Sequence, residues 1–138
     1  MTRKIARENA FLLMFEGVCK KDETAEEIFS KATEIRELEA DEYVKKVFFG
    51  FYANERLIDE IIEKSLLGWK KERISPVSLA VLRLAAYEML FMDDIPARVS
   101  INEAVELCKK YDDEKAYSFV NGVLHKISTE ANEQNADA

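Results

Sequence analysis

Apolar positions recur along this chain at spacings of three and four, the pattern of helices that bury one face. From Thr2 to about Cys19, Ala6, Ala10, Leu13, Met14 and Gly17 form one stripe, and Phe11, Leu12 and Phe15 widen it until it nearly encircles the helix. Such a helix is buried or meets a partner. Thr24-Ala25-Glu26-Glu27 has the form of a capping box and opens a second helix with Ala25, Ile28, Phe29, Ala32 and Ile35 inward. Asp41 caps a third, longer helix carrying Val44, Val47, Phe48, Phe51, Ile58, Ile61, Ile62 and Ser65. A helix of roughly 25 residues spans nearly 40 Å, so this one is expected to bend or to link two sub-bundles.

Gly68-Trp69 ends that run, and Ser75-Pro76 restarts the chain with a capping hydroxyl and a proline pre-set for the first helical position. Between Pro76 and Met92 almost every residue is apolar, which marks the central helix of the second half. Asp93-Asp94-Ile95-Pro96 reads as a loop, and Ser100-Ile101-Asn102-Glu103 reads as a second capping box with Ile101, Ala104, Val105 and Cys108 inward. Asp112 or Asp113 caps a last helix whose buried stripe is Ala116, Val120, Val123, Leu124 and Ile127. The pattern predicts an all-α fold of six to seven helices in two packed three-helix-type bundles. One domain covers residues 1–128, with bundles over 1–67 and 75–128, and residues 129–138 read as a disordered tail.

Composition sharpens this picture. The 138 residues include only 4 Gly and 2 Pro, which favours long uninterrupted helices over a turn-rich β architecture. The formal charge of −7 argues against a protein whose whole surface binds polyanions. It is unevenly spread. Residues 23–42 hold eight acidic and two basic side chains, while Arg3, Lys4, Arg7, Lys20 and Lys21 oppose only Glu8 and Glu16 at the start of the chain. Arg3, Arg7, Phe11 and Phe15 follow one another at i+4, a ridge of cations and rings of the kind that meets phosphates and unpaired bases.

Catalytic constellations are largely eliminated by counting. Phosphate-loop, dinucleotide and hydrolase-elbow glycine motifs are absent, and a single histidine, His125, supports neither a di-iron bundle nor a zinc site with Cys19 and Cys108. Cys108 lies on an apolar stripe where a buried structural thiol is expected, and His125 reads as a solvated side chain. Arg83 and Glu88, nearly the only charges on the central helix, read as internally paired. Gly122 within the last helix allows close approach of a neighbouring group. Every apolar stretch is broken by charge before membrane-spanning length, and no secretory cleavage pattern is present, so a cytoplasmic location with reduced thiols is expected.

Four ordered blocks then point to a family. Val81-Leu82-Arg83-Leu84-Ala85-Ala86-Tyr87-Glu88-Met89-Leu90, Asp94-Ile95-Pro96, Val99 to Leu107 with its Ser-Ile-Asn-Glu-Ala core, and Phe119-Val120-Asn121-Gly122-Val123-Leu124 strongly resemble the NusB transcription antitermination family. The Arg3–Phe15 and Trp69–Arg73 segments match as well. The resemblance implies an adaptor, not an enzyme, without a cofactor or metal. It implies binding to the boxA element of nascent ribosomal RNA leaders together with NusE, a small-subunit ribosomal protein, and assembly with RNA polymerase and the other Nus factors indirectly. On this chain the implied RNA contacts are Arg3, Lys4 and Arg7 on the first helix and Lys115, Ser118 and Phe119 at the start of the last. The implied NusE-facing positions are Phe15, Glu72, Val77 and Ser78. NusB-like domains also precede the catalytic domain of some ribosomal RNA cytosine methyltransferases, a reading the chain length disfavours. Thr2 and Ile5 interrupt the usual arginine run, which leaves a purely protein-binding scaffold as the alternative and suggests greater dependence on NusE.

Overall fold

The computed structural model describes the backbone of residues 1–137 and the side chains of residues 1–131. Of the tail expected over residues 129–138, the last helix (Ala116–Asp137) covers all but Ala138, which lies outside the described residues. The helices are α1 (Arg3–Cys19), α2 (Ala25–Ser30), α3 (Glu42–Ala53), α4 (Glu55–Lys64), α5 (Pro76–Phe91), α6 (Ala97–Tyr111) and α7 (Ala116–Asp137). Among the described residues there is no strand.

Local chemistry explains most of the helix starts. Backbone amides at helix N-termini lack intrahelical partners, and short polar side chains supply them. Thr2 accepts from the Ile5 amide, Thr24 from Glu27, Asp41 from Val44 and Ser75 from Ser78, all at 3.0 to 3.2 Å. At Thr24 the hydroxyl also donates to the Glu27 carboxylate at 3.1 Å. Asp113 caps α7, accepting from the amides of Lys115 and Ala116.

Three expectations are corrected. The long third helix is broken at Asn54, whose side-chain amide donates to the Gly50 carbonyl at 2.8 Å while its backbone N–H turns to Phe51. That competition between a side chain and the helical ladder separates α3 from α4. Ile35 is 75% exposed, because α2 ends at Ser30 and the chain widens into a π turn over Lys31–Ile35, which rotates the apolar register outward. Finally, α6 starts at Ala97 behind Pro96, and Ser100 is no cap: it sits one turn inside the helix, 1% exposed, with its hydroxyl committed elsewhere.

Helix α5 is buried on nearly every side, from Ala80, Val81 and Leu82 through Glu88, and packs against α1, α3, α4, α6 and α7. Arg7 near the start of α1 meets Glu88 near the end of α5, whereas Gly17 and Val18 border a depression with Leu79, so these two helices run antiparallel. Their contact joins the two bundles through a continuous set of buried side chains. At the α3–α5 crossing, a Cβ on Gly50 would lie within 2.6 Å of Tyr87 ring atoms, which is why the smallest residue stands there.

Cys108 is fully buried, and burial, with the charge of Asp112, pushes its thiol up to about 12. Cys19 is exposed at the end of α1. Because the thiolate is the reactive form, the native chain is expected to take up one equivalent of a thiol-reactive dye, at Cys19, and a second only after denaturation. Rapid labelling of both in the native state would contradict this packing.

Candidate nucleic-acid interface

The basic start of α1 divides by depth. Arg3 and Lys4 are exposed, and among the described residues neither is in an ion pair. The Arg3 guanidinium lies over the Tyr43 ring, 4.5 Å from its centre, an attraction between a cation and the negative ring face. One turn on, Arg7 lies against the same ring, 5.8 Å from its centre, but reaches inward. It is 6% exposed, and its guanidinium donates to both Glu88 oxygens, Nε to Oε2 at 2.7 Å and Nη2 to Oε1 at 3.3 Å. The Tyr43 hydroxyl donates to the same Oε2, and Ser100 donates to Oε1 at 2.7 Å.

This network corrects the expectation that Arg7 contacts RNA. Burial alone would disfavour its charge, but the Glu88 hydrogen bonds and charge outweigh that and raise its pKa. Burial and the Glu88 charge likewise raise Tyr43, which stays a protonated donor. Four hydrogen bonds saturate the buried carboxylate, the condition under which such a charge is tolerated. Arg83 is also paired internally, bidentate to Asp59 at 3.0 and 2.9 Å.

A second basic and aromatic group forms where the α4–α5 connection meets the start of α7. Trp69, Lys70, Arg73, Lys115 and Phe119 border a cleft of about 300 Å³, with Ser75, Ser78 and Asp112 on its lining as well. Trp69 meets Phe119 nearly edge-on at 5.1 Å and remains 57% exposed. Lys115 and Ser118 are exposed, and Phe119 is half-buried. The end of α6 connects this cleft to the arm: Tyr111 packs on Phe11 at 4.9 Å and donates to Glu8, and Lys110 pairs with Glu8 at 2.6 Å. Those two hydrogen bonds, Lys110's first, hold the Glu8 carboxyl below its ordinary range.

Of the four positions implied to face a protein partner, Glu72 is exposed in a short turn over Lys71–Arg73, while Phe15 and Val77 are half-buried. Ser78 is corrected: it is 2% exposed and its hydroxyl donates to Asp112 at 2.8 Å, tying the start of α5 to the end of α6. Gly122 faces the side chain of Leu67, whose Cδ1 lies 3.6 Å from where a Cβ would stand, so the contact is an ordinary packing one. Trp69, Lys70 and Arg73 escaped the sequence reading as site residues. Their signal was available, an aromatic followed by three cations in a short interhelical connection, but nothing local pairs that loop with α7.

Among the described residues no group of three or more His, Cys, Asp or Glu side chains is arranged to hold a metal ion, and no helix is long and apolar enough to cross a membrane. The described residues form a helical domain with exposed cations set beside aromatic rings. The chain belongs to the NusB family, whose model it matches over residues 4–129. It is 46% identical over 132 residues to the transcription antitermination protein NusB of Clostridium botulinum, covering 92% of this chain and 98% of that one. Identity to the Bacillus licheniformis protein of the same name is 41% over 130 residues, covering 94% and 98%. Among solved structures, a Thermotoga maritima NusB superposes with a TM-score of 0.81 at 35% identity, covering 94% of this chain and 92% of that one. A crystal structure of the antitermination factors NusB and NusE in complex with double-stranded RNA gives 0.81 at 34%, covering 93% and 96%. The family is one of transcription antitermination proteins, not a known enzyme family.

Proposed function

We propose that this chain is an RNA- and protein-binding adaptor that recognises boxA RNA of nascent ribosomal RNA leaders together with NusE, and reaches RNA polymerase and the other Nus factors through that assembly. The observation that carries this reading is the placement of Arg3, Lys4 and Lys115 as exposed cations outside any ion pair among the described residues, with Phe119 and Ser118 beside Lys115. Single-stranded RNA is bound through phosphates and through bases stacked on rings, so a few well-placed cations beside aromatics suffice where net charge is negative. Support also comes from the fold shared with the NusB–NusE–RNA complex. Phe15, Glu72 and Val77 form the proposed NusE-facing set, and residues 1–128 the proposed single domain.

The test is a mobility shift of a boxA oligonucleotide with and without NusE at two or more salt concentrations. If Arg3, Lys4 and Lys115 each neutralise one phosphate, together they contribute about −2 to the slope of log affinity against log salt, from about −0.7 per contact. A triple alanine variant at these positions is expected to lose that share of the salt dependence. Unchanged binding by the triple variant would remove these residues from the site. One observation favours a second reading, a protein-binding scaffold with little RNA affinity of its own: Arg7 is spent on Glu88, which leaves the arm only two exposed cations. Binding that appears only with NusE would select dependence on the partner, and none even with NusE would select the scaffold.

A further inference from the structure

The connection between α4 and α5 presents its side chains outward. Leu67 and Gly68 have φ of 55° and 88°, successive residues in the left-handed region, and directly after them Trp69 stands 57% exposed. Leu67, 54% exposed, lies beside it, so the connection presents a contiguous apolar patch of the kind a partner covers. Its surroundings specify the chemistry of that partner. Lys70, Arg73 and Lys115 border the same cleft, and among the described residues none of the three is in an ion pair.

Two carboxylates also line the cleft, and each accepts hydrogen bonds that hold its wall together. Asp112 Oδ2 accepts from the hydroxyls of Ser75, at 2.5 Å, and Ser78, at 2.8 Å, and its Oδ1 accepts from the Asp113 amide. Asp113 Oδ1 accepts from the amides of Lys115 and Ala116. Three cations against two carboxylates leave the lining net positive, while the two anions brace its wall. The cleft, of about 300 Å³, has room for a planar ring beside Trp69 and Phe119.

We infer that this cleft is a base-binding subsite: one unpaired base of single-stranded RNA stacks on the free part of the Trp69 ring beside Phe119, and its flanking phosphates lie on Lys70 and Arg73. The inference rests on the RNA-binding reading above and adds to it a second wall that the α1 arm and the start of α7 do not provide. Stacking is tolerant of base identity, because every base has a π-face. Trp69 therefore contributes affinity and register more than sequence discrimination.

Trp69 is the only tryptophan in the chain, so its emission reports on this site alone. The experiment titrates the full chain, alone and with NusE, with a single-stranded boxA oligonucleotide. Tryptophan fluorescence and the anisotropy of a labelled copy of the RNA are followed in parallel. Quenching that saturates with the same dissociation constant as the anisotropy is expected. Trp69→Ala is expected to weaken binding about tenfold or more, the consequence of losing one base–aromatic stack, and Trp69→Phe to recover part of it. Lys70→Ala and Arg73→Ala should each make the salt slope shallower by about 0.7. Circular dichroism melts of all variants report whether the fold is intact. RNA binding with unaltered emission and a wild-type affinity for Trp69→Ala would overturn the subsite while leaving the RNA-binding reading in place. Quenching by NusE without RNA, with RNA affinity unchanged in the variants, would likewise overturn it and assign the loop to the protein partner. Absence of any RNA binding, with NusE present, would overturn both.

Discussion

Replacing Glu88 with alanine is expected to destabilise the protein by about 3–5 kcal/mol, the range for breaking a buried ion pair by removing one partner. Arg7 would remain buried with an uncompensated charge, and the hydroxyls of Tyr43 and Ser100 would lose their acceptor at once. Against a total stability on the order of 5–15 kcal/mol, such a loss leaves a marginal domain. Glu88→Gln keeps the shape but weakens the charge-assisted bonds, so a smaller loss of about 1.5–3 kcal/mol is expected. The double variant Arg7→Met with Glu88→Leu should regain much of the difference, because an apolar pair avoids the desolvation cost of two ions. Urea unfolding of the set, read as midpoint and slope, measures these differences. A Glu88→Ala variant within about 1 kcal/mol of wild type would show that the network is not satisfied as described. The same substitution bears on function, because Tyr43 both donates to Glu88 and lies beneath Arg3.

Phe48→Ala is expected to cost a similar 3–5 kcal/mol, from lost transfer energy and the cavity left behind. Phe48 is fully buried and surrounded by rings, with Phe29 at 6.3 Å and Phe49 and Tyr52 both at 5.2 Å. Its more informative effect is at a distance. If residues 1–128 behave as one cooperative unit, amide protection in α7 should fall as much as in α3 when Phe48 is truncated. If the bundles over 1–67 and 75–128 open independently, protection at Val123 and Leu124 should be unchanged. The extensive α1–α5 contact supports the first outcome, since neither bundle buries its apolar face without the other.

The features legible in the sequence share a short range. The caps at Thr24, Asp41 and Ser75 each join a side chain to an amide three residues on, so residue type and spacing suffice to place them. The all-round apolar character of Pro76 to Met92 announced a central helix for the same reason, because periodicity reports burial without saying against what. The family blocks carried the functional class, while the single-residue roles carried over with them fared unevenly. Arg3, Lys4 and Lys115 are exposed. Arg7 and Ser78 carry the right chemistry but are spent inside.

That division follows from distance along the chain. Arg7 finds Glu88 81 positions away, Ser78 finds Asp112 34 positions away, and Trp69 finds Phe119 only when α7 folds back against the α4–α5 loop. An arginine at a helix start carries no local mark that distinguishes an exposed phosphate ligand from a buried ion-pair partner. By itself the sequence determined the helices, most of their starts, the central position of α5 and the family. The tertiary structure alone decided which cations remain at the surface, because a charge turns inward only where a distant acceptor offsets the loss of its water.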